Sequence, residues 1–262
     1  MLGVINTTPD SFSGDGVGRS VDLALDRAAA MVRDGADAID VGGESSRPGH
    51  SPVSPDEEIE RVVPAIARIA AELAVPVFVD TWKAPVAEEA LKAGASCVND
   101  IWGLRRDPEL AAVVARHGAA VVLMHNQLGA EYRDVLGEVL GGLAESLRLA
   151  RSASIPLARI ILDPGIGFGK TPAQSLAVLA RLEQLTIFGR PLLVGTSRKS
   201  VIGWLLNNRA VSERLLGTAA SVAWASWTGA AMVRVHDVAE MRDTLLVADR
   251  IRAAADRSTK GP

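Results

Sequence analysis

Asp80, Asn99, Asp163 and Arg234 lie inside or at the end of short apolar runs. A polar group buried there without a partner costs roughly 2–7 kcal/mol. Groups kept in such places serve one another or a ligand. The carboxylates and the amide offer acceptors to the N–H edge of a nitrogen heterocycle such as a pterin or guanine, and Asn99 can donate as well. A second set is basic. Arg198, Lys199, Arg234 and His236 gather in the last third of the chain and suit an anionic group, phosphate above all. Other apolar runs also end on polar side chains: Asn6, the stretch from Glu44 to Arg47, Thr81, Asp100, His125 with Asn126, and Ser197. Any one of these is explained as a helix cap. The whole series is better explained by a shared site.

These side chains need a frame that brings run ends together. Eight β-rich apolar runs, at 2–6, 38–42, 75–80, 97–100, 120–125, 159–163, 191–196 and 231–236, alternate with amphipathic stretches at 21–34, 55–73, 85–93, 108–117, 133–152, 172–185, 199–229 and 237–254. That alternation is the pattern of βαβ units. Prolines stand at the start of several of the helical stretches, where the missing N–H costs nothing. The stretch 199–229 is expected to break around 207–210. Eight repeats in about 250 residues favour a single (β/α)8 TIM barrel, an α/β fold whose active site lies at the C-terminal ends of the strands, over an open doubly wound sheet. The catalytic domain is read as 1–255, followed by a polar tail at 256–262. In such a barrel the loops after strands seven and eight commonly bind phosphate, and the basic set falls there.

Composition narrows the partners. The 262 residues carry a net charge of −3 with 48% hydrophobic residues, enough for a full core and unlike a groove that tracks nucleic acid. A lone Cys97 rules out an internal disulfide framework and fits a reducing compartment. No apolar run approaches the roughly 18 residues of a membrane span, and the start lacks the basic lead of a secretory signal. A cytoplasmic protein acting on small molecules is expected.

Several competing motifs fail. Residues 163–171 read Asp-Pro-Gly-Ile-Gly-Phe-Gly-Lys-Thr, but proline stands where a Walker loop needs its first glycine, and Lys170 breaks the dinucleotide fingerprint. The glycines at 14, 16 and 18 match neither pattern. A mobile substrate loop is the better account of both segments. The four histidines lack metal-ligand spacing, and a Gly-x-Ser-x-Gly nucleophile elbow is absent. Trp204, Trp224 and Trp227 fit either core packing or a subunit interface.

Taken in order, the run-end segments resemble the dihydropteroate synthase family. They are residues 3–13 (Gly-Val-Ile-Asn-Thr-Thr-Pro-Asp-Ser-Phe-Ser), 40–49 (Asp-Val-Gly-Gly-Glu-Ser-Ser-Arg-Pro-Gly), 79–81, 99–101, 124–126, 162–170, 195–200 (Gly-Thr-Ser-Arg-Lys-Ser) and 234–237. Eight motifs in register over nearly the whole chain are specific where each alone is weak. The resemblance implies condensation of 6-hydroxymethyl-7,8-dihydropterin pyrophosphate with p-aminobenzoate to 7,8-dihydropteroate and pyrophosphate, with Mg2+ as cofactor. It implies Asp80, Asn99, Asp163, Lys199 and Arg234 for the pterin, and Asn6, Ser46, Arg47, Arg234 and His236 for pyrophosphate, with Asn6 also at the metal. Phe12, Arg47, Pro48, Phe168, Lys199 and Ser200 are implied around p-aminobenzoate. Lys199, Asp80, Asp163 and Arg234 are implied as the catalytic set. Sulfonamides as competitive inhibitors and a homodimer are implied as well.

The sequence departs from the family pattern at three places. Gly14-Asp15 moves the usual loop-one acid by one residue, Ser46 replaces a common threonine, and Leu216 replaces a frequent acid. Two other readings of the pocket are a pterin-dependent methyltransferase-type barrel and a pterin-binding paralogue without turnover. The anion set argues against the first, and the displaced Asp15 is the support for the second.

Overall fold

A computed structural model describes residues 1–8, 16–45 and 52–259. Among them eight strands form one parallel sheet: β1 (Leu2–Asn6), β2 (Ala38–Gly42), β3 (Val77–Asp80), β4 (Cys97–Asp100), β5 (Ala120–Met124), β6 (Ile160–Asp163), β7 (Leu193–Val194) and β8 (Met232–Val235). β1 pairs with both β2 and β8, so the first and last strands are neighbours. A parallel bridge between Leu162 and Leu192 joins β6 to the segment entering β7 and closes the circle. The expected barrel is present.

Side chains alternate across each strand, and here the alternation separates two apolar zones. Leu2, Ala38, Phe78, Cys97, Val122 and Leu193 fill the barrel interior. Their neighbours Ile39, Val79, Val98, Val121, Leu162 and Val194 face outward to the helices and join the larger core. One further step of two residues along a strand leads from Ala38 to Asp40, from Phe78 to Asp80, from Cys97 to Asn99, from Ile161 to Asp163 and from Met232 to Arg234. The pleat thus places the polar side chains in a layer above the apolar plug, at the C-terminal mouth.

The helices are α1 (Val21–Arg33), α2 (Pro55–Glu72), α3 (Ala84–Lys92), α4 (Leu110–His117), α5 (Val135–Ser152), α6 (Pro172–Leu179), α7 (Ser200–Leu205), α8 (Leu215–Trp227) and α9 (Val238–Thr259). Local chemistry sets their starts. Ser20, Ser54 and Asp134 cap α1, α2 and α5 through their side chains, and Thr171 and Gln174 form a reciprocal capping box on α6. Such caps contribute about 1 kcal/mol each.

Several boundaries differ from the sequence expectation. β7 keeps two residues of the run 191–196, because the chain turns out of the sheet at Gly195 to form the site loop. The stretch 172–185 ends as α-helix at Leu179 and resumes as a 3-10 turn at Leu182–Phe188. The expected break in 199–229 occurs where Asn207 and Asn208 adopt left-handed backbone (φ 57° and 61°), which asparagine tolerates. Residues 256–259, read as tail, continue α9. No helix among the described residues is long and apolar enough to cross a membrane.

Candidate active site

Arg234 enters the mouth from β8 and is bound on two sides. Its Nε donates to Asp40 Oδ2 at 2.6 Å and its Nη2 to Asp80 Oδ2 at 2.7 Å. Asn99 Nδ2 donates to the same Asp40 oxygen at 3.1 Å. Asp40 therefore joins Arg234 to Asn99, and Asp80 joins the set through Arg234; Asp40 stands in the 40–49 motif but is not among the expected site residues. Its signal was available: a carboxylate in the middle of the run 38–42, in phase with the interior positions. Asp40 is fully buried, and its Oδ1 has no hydrogen-bond partner.

Burial dominates the electrostatics of this layer. It raises the Asp80 carboxyl to about 7, with Arg234 pulling down and Asp40 adding to the rise. Asp163 is also raised by burial, against the pull of Lys199 and of the Gly165 N–H. Burial opposes the charge on Arg234, but the carboxylates of Asp40 and Asp80 overcome it and hold the guanidinium charged. Lys199 is lowered by burial to about 8, with Asp163 opposing. Two acids pushed up beside a lysine pushed down mark a desolvated polar pocket.

The turn after β6 forms the opposite wall. Asp163 Oδ1 accepts from Gly165 N at 2.7 Å, and Lys199 Nζ donates to Ile166 O at 2.6 Å. The Lys199 ammonium also lies 4.5 Å from the centre of the Phe168 ring, within cation–π range. Glycine is required here, since a Cβ on Gly165 (φ 70°) would meet His125 O at 1.9 Å. Beyond this wall a cavity of about 550 Å3 opens, lined by Asp80, Trp82, Trp102, Asn126, Gly167 and Phe168 among others. Arg106 lies between the indoles of Trp82 and Trp102, 4.7 and 4.5 Å from their centres.

The basic quarter is smaller than its composition suggested. Arg198 forms a two-pronged ion pair with Asp237, which gives it a structural partner within the loops after β7 and β8. His236 stays at the mouth, its Nδ1 3.0 Å from Ser197 Oγ. Ser200 is exposed at the start of α7, and Asn6 is half-buried at the end of β1. Asp100 turns away from the pocket, accepting from Trp102 N at 2.8 Å and Leu104 N at 2.5 Å. The expected Phe12, Ser46, Arg47 and Pro48 lie outside the described residues, as does Asp15.

A buried layer of acids and an amide, with a lysine and an arginine charged beside it, fits a flat N–H-rich ring carrying an anion. Known proteins agree. The family described as pterin binding enzyme matches residues 2–236. A dihydropteroate synthase of Bacillus subtilis is 49% identical over 252 residues, covering 94% of this chain and 88% of that protein. The Yersinia pestis dihydropteroate synthase, solved with a sulfonamide drug, has TM-score 0.93 at 39% identity and covers 96% of this chain and 94% of its own. That of Xanthomonas albilineans, solved with 7,8-dihydropteroate, has TM-score 0.88 at 39% identity and covers 96% and 93%. The chain belongs to the dihydropteroate synthase family of pterin-binding enzymes.

Proposed function

We propose that this protein condenses 6-hydroxymethyl-7,8-dihydropterin pyrophosphate with p-aminobenzoate. The observation that carries this reading is the polar layer at the mouth, where Asp40, Asp80, Asn99 and Asp163 surround Arg234 and Lys199. The C–O bond of the exocyclic carbon breaks, and pyrophosphate leaves with the bonding pair. The resulting cation is delocalised into the pterin. Asp80 and Asp163 face that charge, while Arg234, Lys199 and His236 hold the anionic side. The arylamine nitrogen then forms the new C–N bond and loses a proton. Its own lone pair suffices, so no covalent enzyme intermediate is needed.

Asn6 is assigned to the pyrophosphate side. Among the described residues no three His, Cys, Asp or Glu side chains converge on a metal position. Asn6 would offer its amide oxygen, a hard donor, to a Mg2+ ion on the pyrophosphate side. When bound, Mg2+ offsets the negative charge building on the leaving group. Phe168, Lys199 and Ser200 are assigned to the p-aminobenzoate side together with Phe12, Arg47 and Pro48, and Ser46 and Arg47 to the pyrophosphate side. Sulfonamides are assigned as competitors at the p-aminobenzoate side; the Yersinia pestis relative was solved with a sulfonamide drug.

The same reading makes the protein a homodimer. Trp224, Trp227, Val247 and Ile251 form an exposed apolar groove between α8 and α9, each 47–60% exposed. A second copy is the occupant that the family suggests, and light scattering should give twice the chain mass. The cytoplasm is the assigned compartment, in keeping with a single, buried, unpaired Cys97. The test of function is to incubate the protein with both substrates and Mg2+ and identify the product by mass. Dihydropteroate supports the proposal. Tight pterin binding without product would instead favour the non-catalytic paralogue.

A further inference from the structure

Lys170 has no part in the chemistry above, yet its side chain is buried at the end of the β6–α6 turn (9% exposed). Its Nζ lies 3.0 Å from Gly165 O and 3.1 Å from Phe168 O, both carbonyls of that turn. It also lies 3.0 Å from His125 Nδ1 and 3.4 Å from His125 O. His125 follows β5 and is almost fully buried. Burial, and then the charges of Lys170 and Arg105, push its pKa down to about 3, so the ring is neutral. Burial also lowers Lys170 to about 7, against the pull of Asp163. As ammonium or as amine it keeps at least two N–H groups, enough for the two turn carbonyls.

The turn closes on this side chain. Phe168 N donates to Gly165 O at 3.1 Å, and the Gly165 backbone is pressed against His125 O. Gly167 N is held by Ser175 Oγ at 3.1 Å. Lys170 thus pins the turn from within, while Phe168 projects from its other side toward the Lys199 ammonium. We infer that Lys170 and His125 are positioning residues for p-aminobenzoate, setting the place of the Phe168 ring by fixing the Gly165–Gly169 turn. This rests on the assignment of Phe168 to the p-aminobenzoate side.

The test compares Lys170→Met and His125→Leu, which remove the contact, with His125→Asn, whose amide replaces Nδ1. Removal should raise KM for p-aminobenzoate by about tenfold or more while kcat and the Kd for the pterin pyrophosphate stay within about threefold. His125→Asn should stay near the parent protein. A second readout is the Phe168 ring resonance in protein labelled at phenylalanine, identified by its loss in Phe168→Leu. It should move in both removal variants and hold in His125→Asn. If Lys170→Met does not fold, the two His125 variants carry the comparison. Folded removal variants with an unmoved Phe168 resonance would overturn the inference, as would equal losses for both substrates. If the parent protein makes no product from p-aminobenzoate, the proposed function fails, and the resonance still decides whether Lys170 positions Phe168.

Discussion

Arg234 and Asp80, 154 residues apart in sequence, meet across the barrel mouth in an Nη2–Oδ2 hydrogen bond of 2.7 Å. Asp40 holds the other edge of the same guanidinium at 2.6 Å. The arginine is therefore oriented before any ligand arrives. A preset guanidinium loses little freedom when an anion or a flat ring comes to rest on it, which favours binding in a site this enclosed.

Breaking that arrangement should be felt in stability. Asp40 is fully buried and serves both Arg234 and Asn99, so Asp40→Ala leaves a buried cation with half its partners. Loss of one partner of a buried pair typically costs about 3–5 kcal/mol. Urea unfolding of the variant should show a loss of that size. A loss below about 1 kcal/mol would mean that Asp80 alone satisfies Arg234.

Asp163 tests recognition of the ring. Asp163→Asn retains the shape and an acceptor but swaps the second oxygen for a donor. Pterin binding should weaken by about 1–3 kcal/mol, the cost of a mismatched buried polar group. Calorimetry with the pterin pyrophosphate gives the value directly, and unchanged affinity would remove Asp163 from the pocket.

Lys199 should separate function from folding. Its ammonium makes one described hydrogen bond, to Ile166 O, and is held at the cost of burial. Lys199→Ala should fold, with a melting temperature near that of the parent, and lose roughly 10–150-fold in kcat/KM, the equivalent of one charged hydrogen bond. A well-folded variant with normal kcat/KM would contradict its role.

The two shifted groups also predict a pH profile. Asp80 must be a carboxylate and Lys199 an ammonium, so kcat/KM for the pterin should fall on the acid side near pH 7 and on the alkaline side near pH 8. Asp80→Asn should remove the acid limb. The stability signs run the other way. Asp80, raised from 3.8 to about 7, binds its proton more tightly in the native state, so its contribution falls as pH rises through that window. Lys199, lowered from 10.5 to about 8, holds its proton less tightly when folded, so its contribution rises between those values.

Much of this site could be read from the sequence because the barrel converts order into position. A strand-end residue such as Asn99 or Asp163 has few places to go once eight strands close. Asp40 escaped notice because it sits in the middle of its run rather than at the end, though the pleat puts it in the same layer. Arg198 was misleading for the opposite reason. It neighbours Lys199 in sequence, but its left-handed backbone (φ 58°) sends the side chain to Asp237. Pairing choices of that kind depend on loop geometry, which residue type and spacing do not encode. The hold of Lys170 on Gly165 and Phe168 was hidden likewise, because the glycines around it looked like a mobile loop.

The polar layer at the mouth drives pyrophosphate departure for attack by an arylamine. The most direct measurement is pyrophosphate release from the pterin pyrophosphate in Mg2+, with and without p-aminobenzoate. Release should depend on p-aminobenzoate and match dihydropteroate mole for mole. Absence of release despite tight binding of the pterin pyrophosphate would contradict that role of the layer.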